Sequence, residues 1–96
     1  MDATAWKGET YGVRVGDRNR DQFFDPSWKQ VEIEIDGQSH VLKLSKGFWH
    51  KCPEIRGKVI KEWLFRQGLA PWPEGRPPRL LLTPLGDNRF RLSSRA

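Results

Sequence analysis

The sequence predicts an α+β fold, in which a small antiparallel sheet in the order β-ββ-α-ββ packs one main helix on one face. Residues 45–69 are the only segment whose apolar residues recur with a clear helical period. Residues 31–44 and 79–93, which flank this segment, alternate apolar and polar residues around turn sequences, as β-hairpins do. Four prolines within residues 70–78 exclude a helix or a central strand there.

The residues before the first hairpin predict one short strand between less regular stretches. Residues 1–9 are mostly small and polar and predict a loose lead-in. Residues 10–15 alternate Tyr11, Val13 and Val15 with other residues and predict a strand. Residues 16–28 predict a polar loop with aromatic anchors at Phe23, Phe24 and Trp28 and a turn at Asp25-Pro26-Ser27.

The first hairpin has the clearest strand pattern in the chain. Residues 31–35 alternate strictly, Asp36-Gly37 is a typical hairpin turn, and residues 40–44 resume the alternation. This register places six side chains on one face of the hairpin: Val31, Ile33, Ile35, His40, Leu42 and Leu44.

The central helix is predicted from about residue 53 to residue 67. Steps of about 100° per residue bring five apolar side chains onto one half of the helix: Ile55, Val59, Ile60, Trp63 and Leu64. Pro53 suits the first helical position, and Gly68 suits the left-handed residue that ends a helix. Phe65 is an apolar residue on the polar side. Residues 46–51 predict a short preceding turn that Phe48 and Trp49 anchor to the core.

The second hairpin is predicted from residues 79–83 and 89–93, joined by a turn at residues 85–88. Leu80, Leu82, Phe90 and Leu92 alternate with polar or basic residues, so they are expected to face the core. Pro84 suits the end of an edge strand because it has no N–H to donate.

Length and composition predict one folded domain, residues 1–96, with flexible ends at residues 1–9 and 94–96. Five Trp and five Phe supply much of its apolar area. No run of 18 apolar residues is present, so no membrane contact is expected. Met1 is not followed by a secretory signal, and the single Cys52 excludes an internal disulfide, so we expect a cytoplasmic protein.

The sequence predicts no enzyme, no metal site and no cofactor. Residues 17–21 have the D-x-N-x-D spacing of a calcium loop but lack its later glycine and glutamate. Cys52, His50 and His40 do not complete a four-ligand zinc set. Cys52 near Lys51 and a helix start is a candidate reactive thiol, but no partner base is evident and a core role is the simpler interpretation.

The net charge of +5 is concentrated in the C-terminal half. Residues 43–69 carry seven basic and two acidic residues and residues 70–96 carry five and two, whereas residues 1–42 carry five and eight. Such an asymmetry attracts a polyanion. The working hypothesis is a non-enzymatic domain that binds RNA or single-stranded DNA. Its candidate phosphate contacts are Lys46, Lys51, Lys58, Lys61, Arg79, Arg89 and Arg91, and its candidate stacking groups are Trp49 and Phe65.

Two other interpretations of the same residues are open. Phe48 and Trp49 suit core anchors, and the lysines suit an ordinary solvated face. Trp72 between two prolines, together with Phe65, also suits an interface with a protein partner or with a second copy of the chain. Salt dependence separates these hypotheses, because counterion release weakens nucleic-acid binding steeply as salt rises.

Overall fold

The computed structural model describes residues 1–95, which form a single seven-stranded sheet, two α-helices and one 3₁₀ helix. The strands are β1 (Asp2–Lys7), β2 (Tyr11–Arg14), β3 (Gln30–Ile35), β4 (Gln38–Lys43), β5 (Glu54–Arg56), β6 (Arg79–Gly86) and β7 (Arg89–Ser94). The helices are α1 (Asp17–Phe23), the 3₁₀ helix (Lys46–Trp49) and α2 (Lys58–Arg66).

The sheet curls until its two edges nearly meet. Its strand order is β4-β3-β7-β6-β1-β2-β5, and only the β3–β7 pair is parallel. The outermost strands β4 and β5 come together at one point, where a Cβ added at Gly57 would lie 2.9 Å from Leu42 Cδ2. The result is a nearly closed barrel whose inner face holds the core. Alternate residues of the strands fill it, including the fully buried Val31, Ile33, Leu80 and Leu82.

The first predicted hairpin is confirmed. Val31 pairs with Leu42 and Ile33 with His40 across β3 and β4, and these side chains share the inner face as predicted. Asp36 and Gly37 form a two-residue turn with φ of 51° and 81°, the left-handed backbone that a hairpin turn of this length requires.

The second hairpin is also confirmed, but its strands are longer than predicted. Strand β6 runs to Gly86 with a bulge between Pro84 and Gly86, so only Asp87 and Asn88 remain as the turn. Phe90 and Leu92 are buried, as the alternation predicted.

The predicted number and order of strands are wrong. Residues 1–9 were expected to be a loose lead-in, yet β1 lies between β6 and β2, and Ala3 and Ala5 are buried in the core. The alternation of buried and exposed residues in β1 is hard to recognise in the sequence, because its buried residues are the small Ala3 and Ala5. At the other end, residues 94–96 were predicted to be a flexible tail, but Ser94 is the last residue of β7. The Arg95 N–H donates to the Arg79 carbonyl, and residue 96 lies outside the described residues.

The predicted helix 53–67 is two elements. Ile55 is buried as expected, but it belongs to β5 and pairs with Val13 of β2. Helix α2 runs only from Lys58 to Arg66, and Gly68 adopts the predicted left-handed backbone after its end, with a φ of 71°. The Gly68 N–H donates to the Phe65 carbonyl and the Leu69 N–H to the Leu64 carbonyl, which is the Schellman arrangement.

Residues 17–23 form helix α1, where a polar loop was predicted. The only buried side chain of α1 is that of Arg20, so the sequence has no helical period of apolar residues that would predict this helix. Beyond its end, Phe24 stacks on Phe90 with ring centroids 4.8 Å apart and packs against Phe48 at 5.1 Å. These rings form the aromatic part of the core, and the predicted anchoring roles of Phe24 and Phe48 are therefore confirmed.

Candidate nucleic-acid interface

Tyr11 is the centre of a surface cluster that joins three separate parts of the chain. The Phe65 ring meets it edge-on at 5.4 Å between centroids, and the Trp72 ring does so at 5.7 Å. The ammonium groups of Lys7 and Lys61 each lie 5.8 Å from the centroid of the Tyr11 ring, within the range of a cation–π contact. We call these five residues the Tyr11 cluster.

The local fold explains how these side chains meet. Lys7 and Tyr11 are register partners at the turn end of the β1–β2 hairpin, so both project from the same face. Lys61 and Phe65 are four residues apart on α2 and therefore share one side of that helix, which packs against β2. Lys58 lies one turn earlier on the same side and extends the cluster by a third lysine.

Exposure makes the cluster available to a ligand. Phe65 is 43% exposed, and the only other exposed large hydrophobic residue within 1–95 is Val41, at 61%. Tyr11 and Trp72 are half-buried and pack against the core. The cluster thus consists of two half-buried aromatic rings, one exposed ring and exposed lysine side chains around them.

The lysines and the arginines have different electrostatic surroundings. All seven lysines of the chain are exposed, and none takes part in an ion pair within residues 1–95. Every ion pair in this range uses an arginine as its base. The positive charge of Lys7, Lys58 and Lys61 is therefore not cancelled by a neighbouring carboxylate.

A second aromatic–basic contact lies on the outer face of the sheet. The Arg56 guanidinium covers the Trp6 ring at 4.6 Å from its centroid. Both residues are register partners of Gly12, Trp6 on β1 and Arg56 on β5. A guanidinium plane stacked on an indole is itself a surface on which a nucleic-acid base can stack.

The structure distributes the predicted site residues over three areas. Lys61 and Phe65 come together at the Tyr11 cluster, and Trp72 of the rival interpretation joins them there. Lys58 lies one helical turn before Lys61 on α2. Lys46 and Lys51 are exposed in and just after the 3₁₀ helix, where Trp49 is half-buried against Phe48 with ring centroids 5.0 Å apart.

The predicted arginines lie on the outer face of β6 and β7. Arg89 Nε is 3.5 Å from a Glu32 carboxylate oxygen, and Arg91 Nε is 3.1 Å from one of Glu34. Register across the parallel β3–β7 pair produces both contacts, and they lower the charge that these arginines present to a ligand. Arg79 has no ion pair within residues 1–95.

Sequence reasoning missed Lys7 and Tyr11, and it missed Trp6 and Arg56. The alternation at residues 10–15 predicted that Tyr11 lies in a strand. It does not reveal that Tyr11 contacts Phe65 and Trp72, which are more than 50 positions away in the chain. Only pairing of β1 with β2 and packing of α2 on β2 bring these groups together.

The sequence also offered a calcium-loop spacing at residues 17–21 and a candidate reactive thiol at Cys52. The carboxylates of Asp17 and Asp21 lie on α1 within 3.4 and 3.0 Å of the Arg20 guanidinium, so arginine occupies the position of a cation between them. Cys52 is a half-buried free thiol two residues before the start of β5. Its Cβ lies 3.3 Å from the position of a Cβ added at Gly47, which shows close packing around it.

These features define a small α+β protein with a curled seven-stranded sheet and an exposed basic–aromatic cluster. No protein-family model matches the chain, and no curated protein or solved structure is significantly similar to it. Within residues 1–95, no helix has the length and apolar character needed to cross a membrane.

Proposed function

We propose that this chain is a cytoplasmic, non-enzymatic protein that binds RNA or single-stranded DNA at the Tyr11 cluster. The observation that supports the proposal is the Tyr11 ring itself, edge-on to Phe65 and Trp72, with two lysine ammonium groups at 5.8 Å. In this assignment Lys7, Lys58 and Lys61 contact phosphates, and the exposed Phe65 ring stacks on a base. Single-stranded nucleic acids are bound by this combination of stacking rings and basic side chains.

The lysines make no ion pair within the described residues, and this favours a polyanion over a protein partner. Protein–protein interfaces are depleted in lysine at their centres, since burying an ammonium group costs solvation free energy. A phosphate backbone instead gains affinity from each exposed lysine, because the contact releases condensed counterions. Two lysines at the Tyr11 ring and a third one helical turn away, none of them in an ion pair within residues 1–95, therefore suit nucleic acid better.

A protein interface, including a homodimer, is the second candidate function. Phe65 at 43% exposure and the half-buried Trp72 favour it, because aromatic residues are frequent interface anchors. In this assignment the proline-rich loop would contribute to the contact. A flat salt dependence of association would be its signature, since an apolar interface releases few counterions.

Titration of intrinsic tryptophan fluorescence with mixed-sequence single-stranded RNA and DNA tests the proposal. At about 50 mM salt we expect saturable quenching, and at about 200 mM an affinity lower by one or more orders of magnitude. Phe65→Ala removes one stacking group and is expected to weaken binding about fivefold or more, since stacking contributes about 1–3 kcal/mol per base.

Val41→Ala is the matched control for Phe65→Ala. It shortens the other exposed large hydrophobic residue, which lies on β4 and outside the Tyr11 cluster, and it is expected to leave the affinity unchanged. No binding at low salt, or equal losses in the two variants, would overturn the proposal. Sedimentation of the unliganded chain as a dimer, lost in Phe65→Ala, would establish the second candidate instead.

A further inference from the structure

A second group of basic residues surrounds a cleft on the outer face of the sheet. Arg79 of β6, Thr4 of β1 and Arg14 of β2 are consecutive register partners, so their side chains stand in one row across three strands. The cleft beside this row has a volume of about 390 Å³, and Asp2 and Gly16 complete its polar lining.

The charges around the cleft are predominantly positive. Arg79 is exposed and has no ion pair within residues 1–95. The one carboxylate in the lining, that of Asp2, is paired with Arg95, whose side chain is 52% exposed. Arg14, Arg79 and Arg95, set against the carboxylates of Asp2 and of Glu54, which lies beside Arg14, leave an excess of one positive charge at the cleft.

A buried carboxylate positions Arg14. The side chain of Glu54 is only 2% exposed, and its Oε2 atom lies 3.6 Å from Arg14 Nη1 with no hydrogen-bond partner among the described residues. Arg56 approaches the other carboxylate oxygen, also at 3.6 Å. A carboxylate buried between two guanidinium groups restricts their orientations, while 52% of the Arg14 side chain stays exposed to a ligand.

We infer that this cleft binds a phosphate group between Arg14 and Arg79, above the Thr4 hydroxyl. The two arginines stand two strand spacings apart, about 9–10 Å between Cα atoms, so their long side chains can converge on one tetrahedral anion. Guanidinium groups match phosphate oxygens with paired N–H donors, and a threonine hydroxyl adds a further donor. The inference depends on the cleft alone and not on the Tyr11 cluster, whose Lys7 and Tyr11 belong to the opposite strand alternation.

NMR spectra of the backbone amides and of the arginine Nε groups test the site. They are recorded during titration with inorganic phosphate and with pyrophosphate at constant ionic strength. A single-stranded oligodeoxynucleotide is titrated in parallel. We expect saturable shifts of the Thr4 and Gly16 amides and of the Arg14 and Arg79 side chains. Saturation by inorganic phosphate or pyrophosphate indicates a free phosphate ligand, and saturation by the oligonucleotide alone indicates a phosphodiester.

Arg79→Gln is the main variant, because Arg79 makes no ion pair within residues 1–95. It is expected to weaken binding about tenfold or more. Arg76→Gln is its control, since Arg76 is an exposed arginine of the proline-rich loop outside the cleft. Arg14→Lys keeps a positive charge near Glu54 but removes the paired donors, so it is also expected to weaken binding.

Three results would overturn the inference: no saturable shift with any of the three ligands, an unchanged affinity in Arg79→Gln, or an equal loss in Arg76→Gln. Phe65→Ala separates this inference from the proposed function. It is expected to leave the shifts of the cleft residues with phosphate unchanged, even where it weakens binding of the oligonucleotide.

Discussion

Arg20 donates a hydrogen bond from Nη1 to the main-chain carbonyl oxygen of Phe48, 3.1 Å away, although 28 residues separate the two in the chain. The same nitrogen lies 3.2 Å from the carbonyl oxygen of His50. Only 9% of Arg20 is exposed. One buried guanidinium therefore satisfies two carbonyl groups of the irregular segment around the 3₁₀ helix and ties that segment to α1.

Replacing Arg20 is expected to destabilise the fold. Arg20→Met keeps much of the apolar volume but leaves two carbonyl oxygens without a donor, and each unsatisfied buried group costs about 1–3 kcal/mol. We expect the free energy of unfolding to fall by about 2–4 kcal/mol, measured by urea denaturation with tryptophan fluorescence. Arg18→Met, an exposed residue of the same helix, should change it by less than about 0.5 kcal/mol. Similar losses in both variants would contradict this role of Arg20.

The elements that were predicted correctly are those whose signal is local. Asp36-Gly37 sets the register of the first hairpin without help from the rest of the chain, and Gly68 ends α2 by its own backbone preference. Strand β5 was missed for the opposite reason. Ile55 fits the helical period that follows it, and only its pairing with Val13 across the sheet makes it a strand residue.

The candidate site was predictable only in part. Composition identified Lys58, Lys61 and Phe65, because charge and aromatic content are properties of the sequence. The central position of Tyr11 depends on where α2 and the proline-rich loop pack, which no local pattern encodes. The ion pairs of Arg89 and Arg91 with Glu32 and Glu34 could not be predicted from the sequence either, because they follow from the parallel β3–β7 register.

Gly12 is expected to be essential for the pairing of β2 with β5. A Cβ at this position would lie 2.4 Å from the Ile55 carbonyl oxygen, which is part of the backbone and cannot move aside alone. Gly12→Ala should therefore lower the free energy of unfolding by about 1–3 kcal/mol and speed hydrogen exchange at the β5 amides. Gly57→Ala is the control, because its Cβ would meet only the tip of the Leu42 side chain, at 2.9 Å. Its loss should be smaller, and the reverse order would refute the steric argument.

The Asp25 carboxylate is expected to titrate at lower pH than an ordinary aspartate. The Ser27 main-chain N–H, and then its hydroxyl, donate to Oδ1 at 2.8 Å, and these bonds lower the pKa of Asp25. Since the folded-state pKa is the lower one, the stabilisation is present above the unfolded-state pKa and is lost as the pH falls through the folded-state pKa. Ser27→Ala should raise the pKa part of the way, because the main-chain donor remains. A carboxyl ¹³C titration by NMR measures both values, and an unchanged midpoint in Ser27→Ala would exclude the hydroxyl contribution.

The salt dependence of nucleic-acid binding should distinguish the free lysines from the paired arginines. For a single strand, each phosphate contact adds about 0.7 to the slope of log K against log salt. Lys58→Gln combined with Lys61→Gln should therefore reduce the slope by about 1.4. Arg89→Gln combined with Arg91→Gln should reduce it by less, because Glu32 and Glu34 already share the charge of these arginines at 3.5 and 3.1 Å. Affinities measured at four or five salt concentrations give both slopes. An equal or larger change in the arginine variant would move the binding surface from the Tyr11 cluster to the outer face of β7.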